Sequence, residues 1–171
     1  MFAFRSRGGQ DATMLAFEPS QPPVDGRQSE RALMIQRGVG RFLRTNGLAM
    51  VTELPLASGR QADIVAVDGV GEVWIVEIKS SVEDFRADLK WPEYSMHCDR
   101  LFFATHADVP AELFPTDSGL IIADAYGAEL IRQGSEHRLA GARRKAVLIR
   151  FAHAAATRLH QLHDPDAHRI S

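Results

Sequence analysis

Residues 60–81, RQADIVAVDGVGEVWIVEIKSS, decide the fold of this chain. Two near-continuous apolar runs, at 62–67 and 73–78, are rich in β-branched residues, which is typical of strands covered on both faces. The residues between them include Asp68-Gly69 and a further glycine, and these supply the positive φ angles that a tight hairpin requires. The pattern therefore predicts two adjacent strands that run antiparallel.

Three charged side chains stand at the ends of these apolar runs. Side chains alternate along a strand, so Glu77 and Lys79 fall on one face while Ile78 points to the other. In an antiparallel hairpin, Asp63 at the start of the first strand comes close to Glu77 near the end of the second. Such groups are costly to bury unless they are paired or bind a metal, so their convergence predicts a functional site. A salt bridge at a strand end is the structural alternative.

The composition limits the classes of protein to which the chain can belong. It has 171 residues, of which 45% are hydrophobic, and this predicts one domain with a real core. The formal net charge of -2 argues against an indiscriminate polyanion binder, so nucleic-acid contact needs local basic patches. Cys98 is the only cysteine, which excludes an internal disulfide and suits a reducing cytoplasm. No run reaches the roughly 20 apolar residues of a membrane span, so no membrane partner is predicted.

Composition also divides the chain into a folded domain and two tails. Residues 1–28 are rich in Gly, Pro, Ser and Gln without a sustained period, which predicts a flexible N-terminal tail. The folded domain is predicted over residues 29–163, followed by a C-terminal tail at 164–171. The domain begins with a helix that has Ser29 as its N-cap and ends near Asn46.

Further elements follow from the hydrophobic pattern. Strands are predicted at 48–56 and 100–105, and a second hairpin is predicted within residues 119–131. The last helix is predicted over residues 142–163. Its predicted buried face comprises Ala146, Ile149, Ala152, Ala156 and Leu159.

The order of motifs around the first hairpin resembles the PD-(D/E)XK nuclease superfamily. Ala62-Asp63 stands in the place of PD, with alanine where the superfamily has proline, and Glu77-Ile78-Lys79 stands in the place of (D/E)XK. The resemblance implies an α/β restriction-endonuclease-like αβββαβ core with a central mixed sheet, to which the second hairpin and the last helix are additions. It also implies catalytic Asp63, Glu77 and Lys79. Mg²⁺ or Mn²⁺ would be held by Asp63, Glu77 and the carbonyl of Ile78.

The same resemblance adds candidate site residues, each with a structural alternative. Many members carry a further acid on the first helix, and Glu30 occupies that place, although an acid there also complements the helix dipole. Archaeal Holliday-junction resolvases place a Ser-Gly loop before the catalytic aspartate, as at Ser58. RecB-like nucleases carry a Gln or Lys four residues before a Tyr, as at Lys90 and Tyr94, where a solvated lysine and a packed tyrosine are the alternative. Glu53 is either a solvated strand residue or a further acid of the site.

Basic residues near these motifs predict contacts with DNA. Arg143, Arg144 and Lys145 stand together at the start of the last helix, where three cations oppose the helix dipole. They need a counter-anion, which either the protein or a phosphate backbone supplies. Arg60 and Lys90, which flank the acidic motifs in the sequence, are predicted to bind DNA as well.

A resemblance over a longer range covers residues 29–162. The runs IKSSVEDFRADLKWPEY, CDRLFFA and AGARRKA are similar to the MmcB-related family of bacterial DNA-repair proteins. This implies a role in DNA repair with DNA as the partner, and a metal-dependent deoxyribonuclease is the predicted activity. Two alternatives stay open, namely a catalytically silent DNA-binding scaffold and a repair accessory protein that binds other proteins. The sequence also leaves open whether the protein forms a homodimer.

Overall fold

The computed structural model describes residues 29–166, so the tail predicted for residues 1–28 lies outside the described residues. Helix α1 spans Glu30–Thr45, and Ser29 caps it as predicted, because its hydroxyl accepts the Ala32 N–H at 3.1 Å. Ile35, Val39 and Leu43 form the fully buried stripe of this helix. The spacing of four residues places these side chains on one face, which packs on the sheet.

The core of the domain is a mixed sheet of six strands that lie in the order of the sequence. The strands are β1 Ala49–Pro55, β2 Gln61–Val67, β3 Val73–Ile78, β4 Arg100–Thr105, β5 Gly119–Ala123 and β6 Ala128–Arg132. The first three strands are antiparallel, β4 and β5 run parallel to β3, and β6 returns antiparallel to β5. The predicted mixed sheet and both predicted hairpins are therefore present.

Helical segments cover both faces of the sheet. The connection from β3 to β4 contains α2, Val82–Ala87, and a 3-10 helix, Trp91–His97. Helix α1 covers one face, and the 3-10 helix and α3, Gly141–His163, cover the other. In residues 29–166, no helix is long and apolar enough to cross a membrane.

The predicted buried face of the last helix is wrong. Ile149 is 58% exposed and Leu159 is 56% exposed, while Val147 and Ala154 are buried against the sheet. This helix carries alanines and larger apolar side chains on more than one side, so its periodicity alone does not identify the packed side. Arg158 instead fixes the rotation of the helix, because its guanidinium donates to the carbonyl of Thr52 at 2.7 Å.

A buried carboxylate joins α3 to the sheet. Asp99, which is 2% exposed, accepts the N–H of Val73 at 2.8 Å and the N–H of Leu139 at 2.9 Å. The guanidinium of Arg144 donates to both oxygens of this carboxylate, at 2.7 and 2.8 Å, and also to the Gly71 carbonyl. Burial raises the pKa of Asp99, but the hydrogen bonds from Arg144 and the two backbone N–H groups outweigh this effect and lower it overall.

Candidate functional site

Strands β2 and β3 separate at the residues that carry the predicted acids. The ladder pairs residues 64–67 with residues 73–76. Beyond it, the N–H of Asp63 donates to the carboxylate of Glu77 at 3.2 Å, and the N–H of Ile78 donates to the carboxylate of Asp63 at 2.7 Å. Each carboxylate thus takes the place of a backbone acceptor in the ladder. The hairpin holds the two side chains together, as the alternation of the strands predicted.

These side chains line a cavity of about 430 Å³, which we call the acid pocket. Asp63, Glu77 and Lys79 enter it from the hairpin and the residue after β3, and Ile78 lines it as well. Helix α1 reaches the pocket through its N-terminal end, and Tyr94 reaches it from the 3-10 helix. The pocket is therefore built where the sheet, α1 and the β3–β4 connection meet.

Lys79 is held in the acid pocket by a carboxylate that the sequence did not identify. Its side-chain nitrogen lies 2.6 Å from Asp88, and Lys79 is only 5% exposed. Burial lowers the pKa of Lys79, but the hydrogen bond to Asp88 and the charges of Glu77 and Asp63 raise it above its usual value overall. Lys79 is therefore protonated at neutral pH. Asp88 follows the end of α2, and the one available signal was that a lysine on a buried strand needs an anionic partner.

Burial works against the ionised form of both predicted acids. It raises the pKa of Asp63, although the hydrogen bond from the Ile78 N–H and the charge of Lys79 oppose the shift. The pKa of Glu77 lies well above its usual value, first because Glu77 is buried and second because the Asp63 carboxylate is adjacent. Two carboxylates that lie side by side and are shielded from water repel each other when both are ionised, so this arrangement favours a bound proton or a bound cation.

The shift at Glu77 predicts how the stability of the metal-free protein depends on pH. Since the pKa of Glu77 is higher in the folded chain than in the unfolded chain, the folded state binds more protons between the two values. Stability therefore falls as pH rises through this interval, by at most ~1.4 kcal/mol per pH unit for one proton. We expect Glu77→Gln to remove this loss and to be more stable than the wild type at pH 8.

Urea unfolding at several pH values, in the presence of a chelator, measures this effect. The glutamine oxygen can still accept the N–H of Asp63, so the hairpin keeps its hydrogen bond. The matched control is Glu112→Gln, which changes an exposed acid outside the pocket. A Glu77→Gln protein that is less stable than the wild type above neutral pH would contradict the expected sign.

Two further groups complete the wall of the acid pocket. Tyr94 is buried, and its hydroxyl donates to the Gln61 carbonyl at 3.0 Å. Burial, followed by the charges of Glu77 and Asp63, raises the pKa of Tyr94, so its hydroxyl stays protonated. Asp84 accepts the N–H of Ser80 at 2.8 Å and so fixes the chain that follows Lys79.

Several residues predicted for the site lie elsewhere. Glu30 is exposed and is not among the residues that line the acid pocket, although the preceding Ser29 is. Lys90 is exposed on the β3–β4 connection, whereas its partner in the motif, Tyr94, lies in the pocket. Arg60 donates to both carboxylate oxygens of Glu93 at 2.9 Å, so a protein anion already binds its guanidinium.

Glu53 occupies an unusual backbone position opposite the site. Its backbone φ angle is +50°, in the left-handed region that residues other than glycine rarely adopt. The register places it across from Asp63, between the pairs that Thr52 and Leu54 form with β2. Val51 and Leu54 belong to the same core cluster, so the usual alternation of the strand is interrupted here. This irregularity in β1 lies beside the point where β2 and β3 separate, as irregularities near functional sites often do.

The three cations at the start of α3 have different roles. Arg144 takes its counter-anion from the protein, because the buried carboxylate of Asp99 binds it. Arg143 and Lys145 are exposed and remain on the surface. Of the two counter-anions considered from the sequence, a protein carboxylate is present for Arg144, and DNA binding by Arg143 and Lys145 stays a prediction.

The acid pocket contains ligands of the kind that a small divalent cation prefers. Across residues 29–166, no group of three or more His, Cys, Asp or Glu side chains is arranged to hold a metal ion. Asp63 and Glu77 nevertheless present paired carboxylates, and Mg²⁺ is commonly held by one or two carboxylates with waters completing its coordination. A cation would also favour the ionised forms that burial disfavours in Asp63 and Glu77. The donor set therefore fits Mg²⁺ or Mn²⁺.

Comparison with known proteins adds a family and a solved fold. The model of a family described as DNA repair protein MmcB-like matches residues 19–166. A solved structure of a protein of unknown function from Silicibacter pomeroyi is 45% identical, with a TM-score of 0.80, over 84% of this chain and 98% of that chain. No curated protein matches the chain.

Proposed function

Because the chain belongs to the MmcB-like family of DNA repair proteins, we propose that it acts in repair as a metal-dependent deoxyribonuclease that hydrolyses phosphodiester bonds. One observation carries the proposal. The carboxylates of Asp63 and Glu77 exchange hydrogen bonds with the opposite backbone where β2 and β3 separate, and the Lys79 ammonium lines the same pocket. Two acids and a lysine in one cavity are the groups that metal-assisted phosphodiester hydrolysis uses.

The superfamily assignment belongs to the same proposal. The order α1, β1, β2, β3, α2, β4 agrees with the αβββαβ core of PD-(D/E)XK nucleases, with β5, β6 and α3 as additions. Asp63 and Glu77 lie on the antiparallel hairpin of this core. These features support placing the acid pocket in correspondence with the nuclease site, with alanine in the position of the motif proline.

The side chains of the pocket would divide the work of hydrolysis. Asp63 and Glu77 would hold Mg²⁺ or Mn²⁺, with the carbonyl of Ile78 as a further oxygen ligand. The cation would supply polarisation of the phosphoryl group and a lowered pKa of water. Lys79 is protonated in its salt bridge with Asp88, so it would stabilise the negative charge that develops on the phosphoryl oxygens and orient the attacking water. The same protonation argues against Lys79 as a general base.

A second candidate function is a catalytically silent DNA-binding scaffold. The observation that favours it is the 2.6 Å contact between Lys79 and Asp88. In this contact the negative charge of Asp88 offsets the positive charge of the Lys79 ammonium, which a nuclease would direct at phosphate. In such a scaffold the acid pocket would be a structural ion network, and DNA would bind through the exposed basic residues.

The test is an assay of the purified wild-type protein on labelled single-stranded, duplex, flapped and branched DNA. We expect cleavage with Mg²⁺ or Mn²⁺ and none with a chelator. We also expect Mn²⁺ to raise the melting temperature by several degrees, because a ligand at 100 times its Kd stabilises the folded state by about 2.7 kcal/mol. DNA binding without cleavage and without a Mn²⁺-dependent shift would favour the scaffold.

A further inference from the structure

A second concave region, which we call the basic hollow, lies between the β1–β2 loop, the 3-10 helix and the first turns of α3. Its volume is about 290 Å³. Ala57 and Met96 form part of its apolar lining, and α3 adds Ala146 and the buried Val147. The acid pocket does not account for this apolar surface, because the two cavities share no lining residue.

The remaining lining of the basic hollow consists of Ser58, His97 and two cations, Arg143 and Arg150. His97 comes from the end of the 3-10 helix, and Arg143 and Arg150 come from α3. Burial lowers the pKa of His97, and the positive charges of Arg143 and Arg150 lower it further. The protein as a whole carries a formal net charge of -2, so this concentration of positive charge is local.

Apolar surface beside cations matches the two parts of a nucleotide. A base can pack against the apolar side chains of Met96, which is 46% exposed, and Ala146. A phosphate would approach the exposed Arg143, whose charge attracts it without regard to sequence. An unpaired base is required, because in a duplex each base is stacked and hydrogen-bonded to its partner.

The 3-10 helix connects the basic hollow to the acid pocket. Tyr94 lines the acid pocket and His97 lines the hollow. Residues three apart lie on the same side of a 3-10 helix, and its rise of about 2 Å per residue separates them by roughly 6 Å along the axis. The two cavities are therefore neighbours along the 3-10 helix, about one helical turn apart.

We propose that the basic hollow binds one unpaired nucleotide of a DNA strand whose neighbouring phosphodiester lies in the acid pocket. This inference rests on the proposed nuclease function and gives it a substrate class, namely DNA with an unpaired strand. Recognition is by base packing and phosphate charge, so the hollow selects DNA structure and not a particular sequence. The paired strands of an intact duplex would engage only the exposed cations.

Binding without cleavage tests the hollow directly. The probes are a fluorescein-labelled oligothymidylate, an abasic strand with the same number of phosphates, and a blunt hairpin duplex, all measured by anisotropy with a chelator present. Ala146→Glu places a carboxylate in the hollow on a residue type that helices accept, and Ala146 is exposed, so the fold is retained. The matched control is Ala152→Glu, an exposed alanine of α3 outside the hollow.

We expect Ala146→Glu to bind oligothymidylate about tenfold more weakly than the wild type, and Ala152→Glu to bind as the wild type does. The wild type should also prefer oligothymidylate to the abasic strand and to the duplex. Equal affinity of the two variants for oligothymidylate would overturn the inference, even if the wild type cleaves DNA.

Other results separate this inference from the proposed function. The protein could bind oligothymidylate in a way that depends on Ala146 and yet not cleave DNA with Mn²⁺. This result would support a nucleotide site in the basic hollow and overturn the proposed nuclease activity. A wild-type protein that binds none of the three probes would also overturn the inference. Equal affinity for thymidylate and abasic strands would also overturn it, because a nucleotide site requires a contribution from the base.

Discussion

Replacing Asp63 with asparagine is expected to lower DNA cleavage about 10³-fold while the protein stays folded. The rate loss corresponds to about 4 kcal/mol of transition-state stabilisation, a reasonable value for the loss of one charged metal ligand. Asparagine is nearly isosteric with aspartate, and its oxygen can still accept the Ile78 N–H that now donates to Asp63 at 2.7 Å. The exchange also removes a buried charge beside Glu77, so the hairpin should not lose stability.

Cleavage by the two proteins is compared on labelled single-stranded and branched DNA with Mg²⁺ or Mn²⁺. Affinity for DNA without metal should stay equal or rise, because a negative charge near the phosphate has been removed. Asp117→Asn is the matched control, since it makes the same exchange at an exposed aspartate outside the acid pocket. Full activity in Asp63→Asn would mean that the cleavage comes from a contaminating nuclease.

Replacing Asp99 with alanine is expected to destabilise the domain by about 3–5 kcal/mol, the usual effect of removing one partner of a buried ion pair. The change leaves the N–H groups of Val73 and Leu139 and the guanidinium of Arg144 without the carboxylate that accepts their hydrogen bonds. Since a domain is commonly stable by only about 5–15 kcal/mol, this is a large fraction of the total.

Urea unfolding monitored by circular dichroism measures the loss in the free energy of unfolding. The slope of this free energy against urea concentration should be the same in the variant and the wild type. Arg144→Met and the Asp99→Ala, Arg144→Met double variant complete a cycle that isolates the pair. The double variant should lose less than the sum of the single losses, because no unpaired charge remains. Additive losses would show that Asp99 and Arg144 do not stabilise the protein through each other.

The central hairpin and its acids were predictable because local rules determine them. The Asp-Gly turn brings β2 and β3 together, and the alternation of strands then places Asp63 beside Glu77. The nuclease activity and the metal remain predictions. What local rules did not predict is the opening of the ladder at this point, where each carboxylate replaces a backbone acceptor.

The partners of charged groups were not predictable, because they are distant in sequence. Arg144 and Asp99 are 45 residues apart, and no pattern in the sequence connects them. The prediction of the buried face of α3 failed for a similar reason. Alanines on several sides of the helix allow more than one side to pack, and contacts with the sheet determine which side is buried. The salt bridge of Lys79 with Asp88 required a turn after α2 whose course depends on tertiary contacts.

The contact between α3 and β1 also determines when the domain can complete its fold during synthesis. Arg158 and Thr52 are separated by 106 residues. At ribosomal rates of about 5–20 residues per second, β1 is made roughly 5–20 s before its partner helix exists. During that interval Val51 and Leu54 lack the helix that buries them. The nascent chain therefore passes through a period in which apolar strands are exposed, and the contact between β1 and α3 forms only after α3 leaves the exit tunnel.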